Sequence, residues 1–178
     1  MNTLLRPLPA ILAGIFTCFI YSCAADDSMG SNCTETELGL TIANQPRQLK
    51  LVSSTMIRIT NVEGSYKLLS LEGVTDSIKV IANIKSGRYI TYGDLQNDSI
   101  PVGKYTYSSR GTDTTGRILV GLGRSDAYHF AITDSAMIEI TSVDPVNRTV
   151  TGKYYVETRS PQLTASGYFR KLCFQSLK

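Results

Sequence analysis

Ile78-Lys79-Val80-Ile81-Ala82-Asn83-Ile84 decides the fold. Positions 78, 80, 82 and 84 carry Ile, Val, Ala and Ile, so a chain that repeats every two residues gathers them on one face. A helix of 3.6 residues per turn would scatter them. The same period runs outward from this stretch. Tyr128, Phe130 and Ile132 alternate with His129 and Ala131, which places the large apolar side chains on the half-buried face and His129 opposite them. Ile138 and Ile140 alternate with Glu139 and Thr141, and Val150, Tyr154 and Val156 share a face opposite Thr151, Lys153 and Glu157. Val, Ile, Thr and Tyr dominate these runs and fit a pleated surface.

Turn signals divide the runs at short intervals: Glu63-Gly64, Glu72-Gly73, Ser86-Gly87, Pro101-Val102-Gly103 and Asp144-Pro145-Val146-Asn147. In the last of these, Pro presets the second turn position and Asp can bond back to the backbone. No segment shows a dozen residues of helical spacing. The pattern predicts an all-β domain over residues 36–178, with eight to ten antiparallel strands in a sandwich or a small, lipocalin-like barrel.

The chain of 178 residues has 42% apolar residues, enough for one packed domain. Its formal charge of +3 is too small for a phosphate-reading surface. Lys and Arg are scattered, with Arg170-Lys171 the one adjacent pair, which argues against nucleic acid as a partner. Trp is absent and His129 is the sole histidine, so His-rich metal sites are excluded, as is any triad needing a second His.

Residues 1–22 do not belong to the fold. Arg6 gives a short cationic start, and Ile11 to Tyr21 form an uncharged apolar stretch, a signal-peptide core too short for a comfortable membrane span. Ile20-Tyr21-Ser22-Cys23 follows and resembles the bacterial lipobox, which implies cleavage before Cys23 and acylation, palmitate included, at its thiol and new amino end. Several acyl chains make an anchor that does not readily leave a membrane. Ser22-Cys23-Ala24 also fits an ordinary signal-peptidase site, which would release a soluble protein, and an uncleaved segment would stay as a short anchor. Residues 23–35 are small and polar without periodicity and read as a flexible tether. Asp26 and Asp27 within it resemble the acidic export signal of surface lipoproteins in Bacteroidetes-type bacteria.

Cys33 and Cys173 bracket the alternating region. In an oxidising envelope compartment two remaining thiols favour a disulfide, here closing a loop of roughly 140 residues. Such a bridge demands that the first and last strands lie together. The alternative leaves Cys173 buried and Cys33 free.

The stretch Ala136–Asp144, followed by Asn147–Tyr155 and then Leu163–Phe169, resembles an uncharacterised family of Bacteroidetes lipoproteins, and Ile100-Pro101-Val102-Gly103-Lys104-Tyr105 matches an earlier element of its pattern. The resemblance implies a β-rich domain behind a lipid anchor and brings no catalytic residues. Each glycine of the pattern (Gly103, Gly152, Gly167) is expected to mark a close approach of backbone, with the aromatic two positions on facing the core.

Five of the nine Asp residues open Asp-Ser/Thr triplets, at Ser28, Ser77, Ser99, Thr114 and Ser135. These triplets resemble the O-glycosylation acceptor of Bacteroidetes secreted proteins, and tether, turn or strand-entry positions would expose them. The same dipeptides are ordinary turn and cap formers.

No catalytic residue, metal ligand set or cofactor motif emerges. Gly121-Leu122-Gly123-Arg124-Ser125 lacks the third glycine and the helix of a phosphate loop, and Asp94 and Asp98 lack the alternating acidic loop of a calcium site. Tyr105 and Tyr107 share a strand face, and such tyrosines, with Tyr89, either stack on sugar rings or pack in the core. The expectation is a non-enzymatic lipoprotein of the outer membrane or cell surface, binding a carbohydrate or serving envelope structure. The alternatives are a lipocalin-like carrier of a small apolar ligand and an accessory subunit of an outer-membrane protein complex.

Overall fold

The computed structural model describes residues 35–62, 64–124 and 127–177. The chain forms β1 (Glu37–Ile42), β2 (Gln45–Gln48), β3 (Lys50–Asn61), β4 (Gly64–Val74), β5 (Ile78–Tyr89), α1 (Tyr92–Gln96), β6 (Gly103–Ser108), β7 (Gly116–Leu122), β8 (His129–Phe130), β9 (Ile132–Asp144), β10 (Thr149–Ser160), β11 (Gln162–Cys173) and β12 (Gln175–Leu177). Two six-stranded sheets result, ordered β2-β1-β11-β10-β9-β6 and β12-β3-β4-β5-β7-β8. The fold is an all-β sandwich. Its pairings are antiparallel except where β12 runs parallel to β3.

The sheets are not independent layers. A single residue, Leu49, separates β2 in one sheet from β3 in the other, and Ala131 does the same between β8 and β9. The Leu49 N–H donates to Leu38 O and the Ala131 N–H donates to Val120 O, both at 2.8 Å, so backbone pairing continues around both corners. Counting each bent pair as one strand gives a circuit of β1, β2–β3, β4, β5, β7, β8–β9, β10 and β11. Strands that switch sheets at corners are how two packed sheets close their edges. The strand count exceeds the expected eight to ten because these corners cut long strands, and because Phe174 turns the chain from β11 into β12.

Ile78, Val80, Ala82 and Ile84 all face the core, as their spacing requires. The expected face at residues 128–132 is reversed: Phe130 and Ile132 are exposed, whereas Ala131 and Thr133 are buried. The corner explains the reversal. The backbone of Ala131 must pass close to β7, where a small side chain fits, and the Thr133 hydroxyl donates to Ile118 O. The β9–β10 register then shifts, Ser135 pairing with Glu157 but Thr133 with Thr158, which leaves Asp134 as an extra residue. Beyond that bulge the parity flips and Ala136, Ile138 and Ile140 point inward.

Met56, Leu69, Ile84, Ile118, Ile138, Phe169 and Leu172 fill the interior between the sheets. On β10 and β11, Gly152 stands opposite Phe169 and Tyr154 opposite Gly167. A Cβ on Gly152 would lie well under 3 Å from Glu139 O and the Phe169 ring, and one on Gly167 equally close to Gly39 O and the Tyr154 ring. The buried Tyr154 hydroxyl donates to Gly39 O at 2.9 Å, tying β10 to β1 across β11. Burial pushes its pKa far above the ordinary tyrosine range, so it stays a donor. Gly152, Gly167, Tyr154 and Phe169 are thus packing residues, whereas Gly103 departs from the expected close approach: nothing lies near the place of its Cβ, and its positive φ of 150° is what calls for glycine there.

Candidate functional site

One end of the interior is polar. Arg58 on β3 registers with Lys67 on β4, and Lys67 with Ser86 on β5, and all three side chains point inward. Two cations side by side in a dry interior require acceptors from elsewhere. The segment 90–101, which folds over this end, supplies them. Its short helix α1 starts at Thr91, whose hydroxyl accepts the Asp94 N–H at 3.1 Å and donates to the Asp94 carboxylate at 2.6 Å. Leu95 and Ile100 are buried beneath it.

Arg58 donates to the carbonyls of Leu95, Gln96 and Asn97 at the end of α1, to Ser176 Oγ and Leu177 O on β12, and to the Asp98 carboxylate. Asp98 also accepts from Arg148 Nε at 3.0 Å and from Ser176 Oγ. Burial pushes the Asp98 carboxyl up, but the hydrogen bonds from Ser176, Arg58 and Arg148, with the Arg58 charge, outweigh it and hold the group below the usual carboxylate range. Lys67 Nζ donates to Asn97 Oδ1 at 2.8 Å and Ser99 O at 2.7 Å and lies 4.4 Å from the centre of the Tyr89 ring. Ser86 Oγ and Tyr89 OH share a hydrogen bond, and Tyr105 OH donates to Pro101 O.

Lys67 is 0% exposed, and burial followed by the neighbouring Arg58 charge lowers its pKa to about 8, against the opposing pull of Asp98 and Asp94. The folded state therefore holds this proton less tightly than the unfolded chain does. Below pH 8 both states are charged and the fold carries the full cost of a buried ammonium. Between pH 8 and the unfolded value the fold sheds the proton first, so stability rises with pH. Relative to Lys67→Met, the wild-type chain is expected to gain about 2–3 kcal/mol between pH 7 and pH 10. Urea unfolding of the pair at both pH values measures it, and a difference that stays flat would contradict the assignment.

Chemically, this arrangement is a clamp. Its cations are consumed by carbonyls, a carboxylate and an aromatic face. Compared with family models, curated proteins and solved structures, the chain matches none. Among the described residues no group of three or more His, Cys, Asp or Glu could hold a metal ion, and no helix is long and apolar enough to cross a membrane.

Of the sequence-derived glycosylation sites among the described residues, Ser99 lies at this clamp, through its carbonyl, and the others lie away from it. Cys23, Ser28 and Cys33 lie outside the described residues. Cys173 is buried at the end of β11, and β1 pairs with β11 through Glu37 and Arg170, so the chain next to Cys33 runs beside the strand that ends in Cys173. Ser77, in the β4–β5 turn, and Thr114, before β7, are exposed. Ser99 is half-buried in the cover. Ser135 departs from the expected turn or strand-entry position: it sits inside β9, paired on both sides, and its hydroxyl donates to Glu157. His129 is exposed on β8, and Tyr105 is a core residue rather than a stacking platform. Asp94 accepts from the hydroxyl of Thr91, the N-cap of α1, and Asp98 pairs with Arg58 and Arg148.

Proposed function

We propose that the chain is a lipid-anchored, non-enzymatic β-domain of the bacterial outer membrane or cell surface, serving binding or envelope structure. The observation that carries this is Ile20-Tyr21-Ser22-Cys23 behind an apolar stretch and ahead of a polar tether. Where that tether reaches the fold, Glu35 pairs with Lys171, beside the β1–β11 seam. The inward cations support a structural assignment, since their donors hold the cover and β12 in place. Pairing of Cys33 with Cys173 would fasten the tether to the end of β11. Membership of the Bacteroidetes lipoprotein family belongs to the same proposal. So does glycosylation, for which exposed Ser77 and Thr114 are the best placed acceptors and Ser135 the worst. The carrier alternative draws no support from an interior filled by Met56, Ile118, Ile138 and Phe169.

Metabolic labelling with a palmitate analogue tests the anchor: the wild-type chain is expected to take up label, and Cys23→Ser to lose it. Equal labelling of the two would overturn the assignment. Intact mass of the same material reports acyl chains and sugars separately.

A further inference from the structure

Large apolar side chains are exposed on the tips of one end of the sandwich. Val62 tops the β3–β4 turn, Ile90 and Tyr92 open the cover, Val102 closes it, and Val146 tops the β9–β10 turn. These five are the most exposed large hydrophobic residues among those described, from 61% at Val102 to fully exposed at Val62. The clamp places them together: Arg58 on β3, Asp98 in the cover and Arg148 after the β9–β10 turn form one ion network, and each contact residue lies close in sequence to a tip. Ile90 follows Tyr89, which registers with Ser65 at the β3–β4 turn. The opposite end differs. Its described tips carry Ala43, Asn44, Asp76, Ser77, Arg124 and Pro161, and the exposed hydrophobics nearest to it, Val52, Phe130 and Ile132, lie on strands and are only about half exposed.

The same apolar end receives the N-terminal part of the chain. Glu35 meets Lys171 near the end of β11, and Arg148 O accepts from Phe174 N–H just beyond Cys173. Scattered exposed hydrophobics are ordinary, but five on the tips of one end, where the chain enters, are not scattered. Exposed Arg88 and Lys104 stand two residues from Ile90 and Val102, suited to reach headgroup phosphates, while Asp94 and Asp144 are turned to Thr91 and Asn147.

We propose that this end rests on a bilayer surface, with Val62, Ile90, Tyr92, Val102 and Val146 entering the boundary between headgroups and acyl chains. The inference deepens the anchored reading and rests on it. Glu35 follows Cys23 by twelve positions, and a Gly/Ser-like chain of that length has a mean span of about 20 Å. An anchor at Cys23 would therefore hold the apolar end, rather than the Ser77 end, within reach of the lipid. The rigid clamp would then serve to present the tips as one surface.

The absence of Trp offers a clean probe. Full chains carrying Tyr92→Trp or Ser77→Trp are purified from membranes and reconstituted in phosphatidylcholine vesicles with a minor phosphatidylglycerol fraction, with and without brominated acyl chains. Bromine is expected to quench the Tyr92→Trp emission about twofold and leave Ser77→Trp unchanged. If the protein floats with the vesicles while Tyr92→Trp stays unquenched, the docking surface is overturned and the anchor stands. Adding Cys23→Ser/Tyr92→Trp to the same vesicles separates the two ideas. Quenching there, together with unlipidated mass in the wild type, supports the surface and overturns the anchor. Emission that shifts only in native membranes, never in lipid vesicles, assigns the tips to a protein partner and overturns the proposal.

Discussion

Gly167→Ala is expected to lower the melting temperature of this domain by about 10–15 °C, corresponding to a loss of about 3–4 kcal/mol. The new methyl group would meet two neighbours at once, the carbonyl of Gly39 and the ring of Tyr154. The carbonyl cannot retreat, because Gly39 is held in register with Tyr168 in the β1–β11 ladder. The ring can move only by breaking its hydrogen bond to Gly39 O and by giving up its place in the core. Overpacking a tight core costs about 1–3 kcal/mol, and a buried donor left without its acceptor costs about as much again. Tyr154→Phe isolates the second part and is expected to cost about 1 kcal/mol. In a Gly167→Ala/Tyr154→Val double variant the two costs should fall short of their sum, since the smaller side chain vacates the space. Thermal melts followed by circular dichroism decide it. A Gly167→Ala domain melting within about 2 °C of wild type would show that the glycine–aromatic pair is not a tight fit.

How much of this was legible in the residues depends on what interrupts a period of two. Residues 78–84 contain no interruption, and their inward face is the one that alternation gives. Residues 128–136 contain a corner and a bulge, each of which resets parity, and no single residue type announces either one. Ala131 and Thr133 carry no more apolar surface than the exposed Phe130 and Ile132, so hydrophobicity points the wrong way there. The clamp was half legible. Lys67 is in phase with Leu69 and Leu71, and Arg58 with Met56, so the alternation already puts both cations inside. Their acceptors were not legible: Asp98 and the carbonyls of Leu95, Gln96, Asn97 and Ser99 reach Arg58 and Lys67 from a distant part of the chain, and only the closed topology brings them together. The apolar tips were hidden for the same reason, since Val62, Tyr92 and Val146 look like isolated turn residues until the ends of the strands are assigned.

Arg58→Met is expected to destabilise the fold by about 3 kcal/mol and to free the cover before the rest unfolds. Methionine keeps the apolar stem and removes only the guanidinium fork. Its loss leaves three carbonyls at the end of α1, two groups on β12 and one oxygen of Asp98 without their shared donor. Breaking one side of a buried ion pair costs about 3–5 kcal/mol because the survivor stays charged in a poor solvent. Here the lower end applies, since Arg148 and Ser176 still serve Asp98 and Arg148 is partly exposed. The loss should also depend on pH. The carboxyl of Asp98 is held below its ordinary range in the fold, so its contribution is present above the unfolded carboxylate pKa and fades as acid titrates the folded group. Wild type and Arg58→Met should therefore converge in stability under acid conditions and separate at neutral pH. Hydrogen exchange gives the local readout: amides at 95–100 and 175–177 should exchange faster in Arg58→Met by about a hundredfold at neutral pH, while those of Ile138 and Val156, deep in the sandwich, should slow or speed only with global stability. Arg58→Lys tests the fork itself, because a lysine supplies the charge as a point and cannot reach carbonyls on both α1 and β12. If Arg58→Lys restores the exchange pattern in full, charge alone holds the cover and the forked geometry is incidental. If Arg58→Met leaves exchange at 95–100 unchanged, the cover is held by Leu95 and Ile100 in the core, and the ion network is a passenger on a fold that hydrophobic packing has already closed.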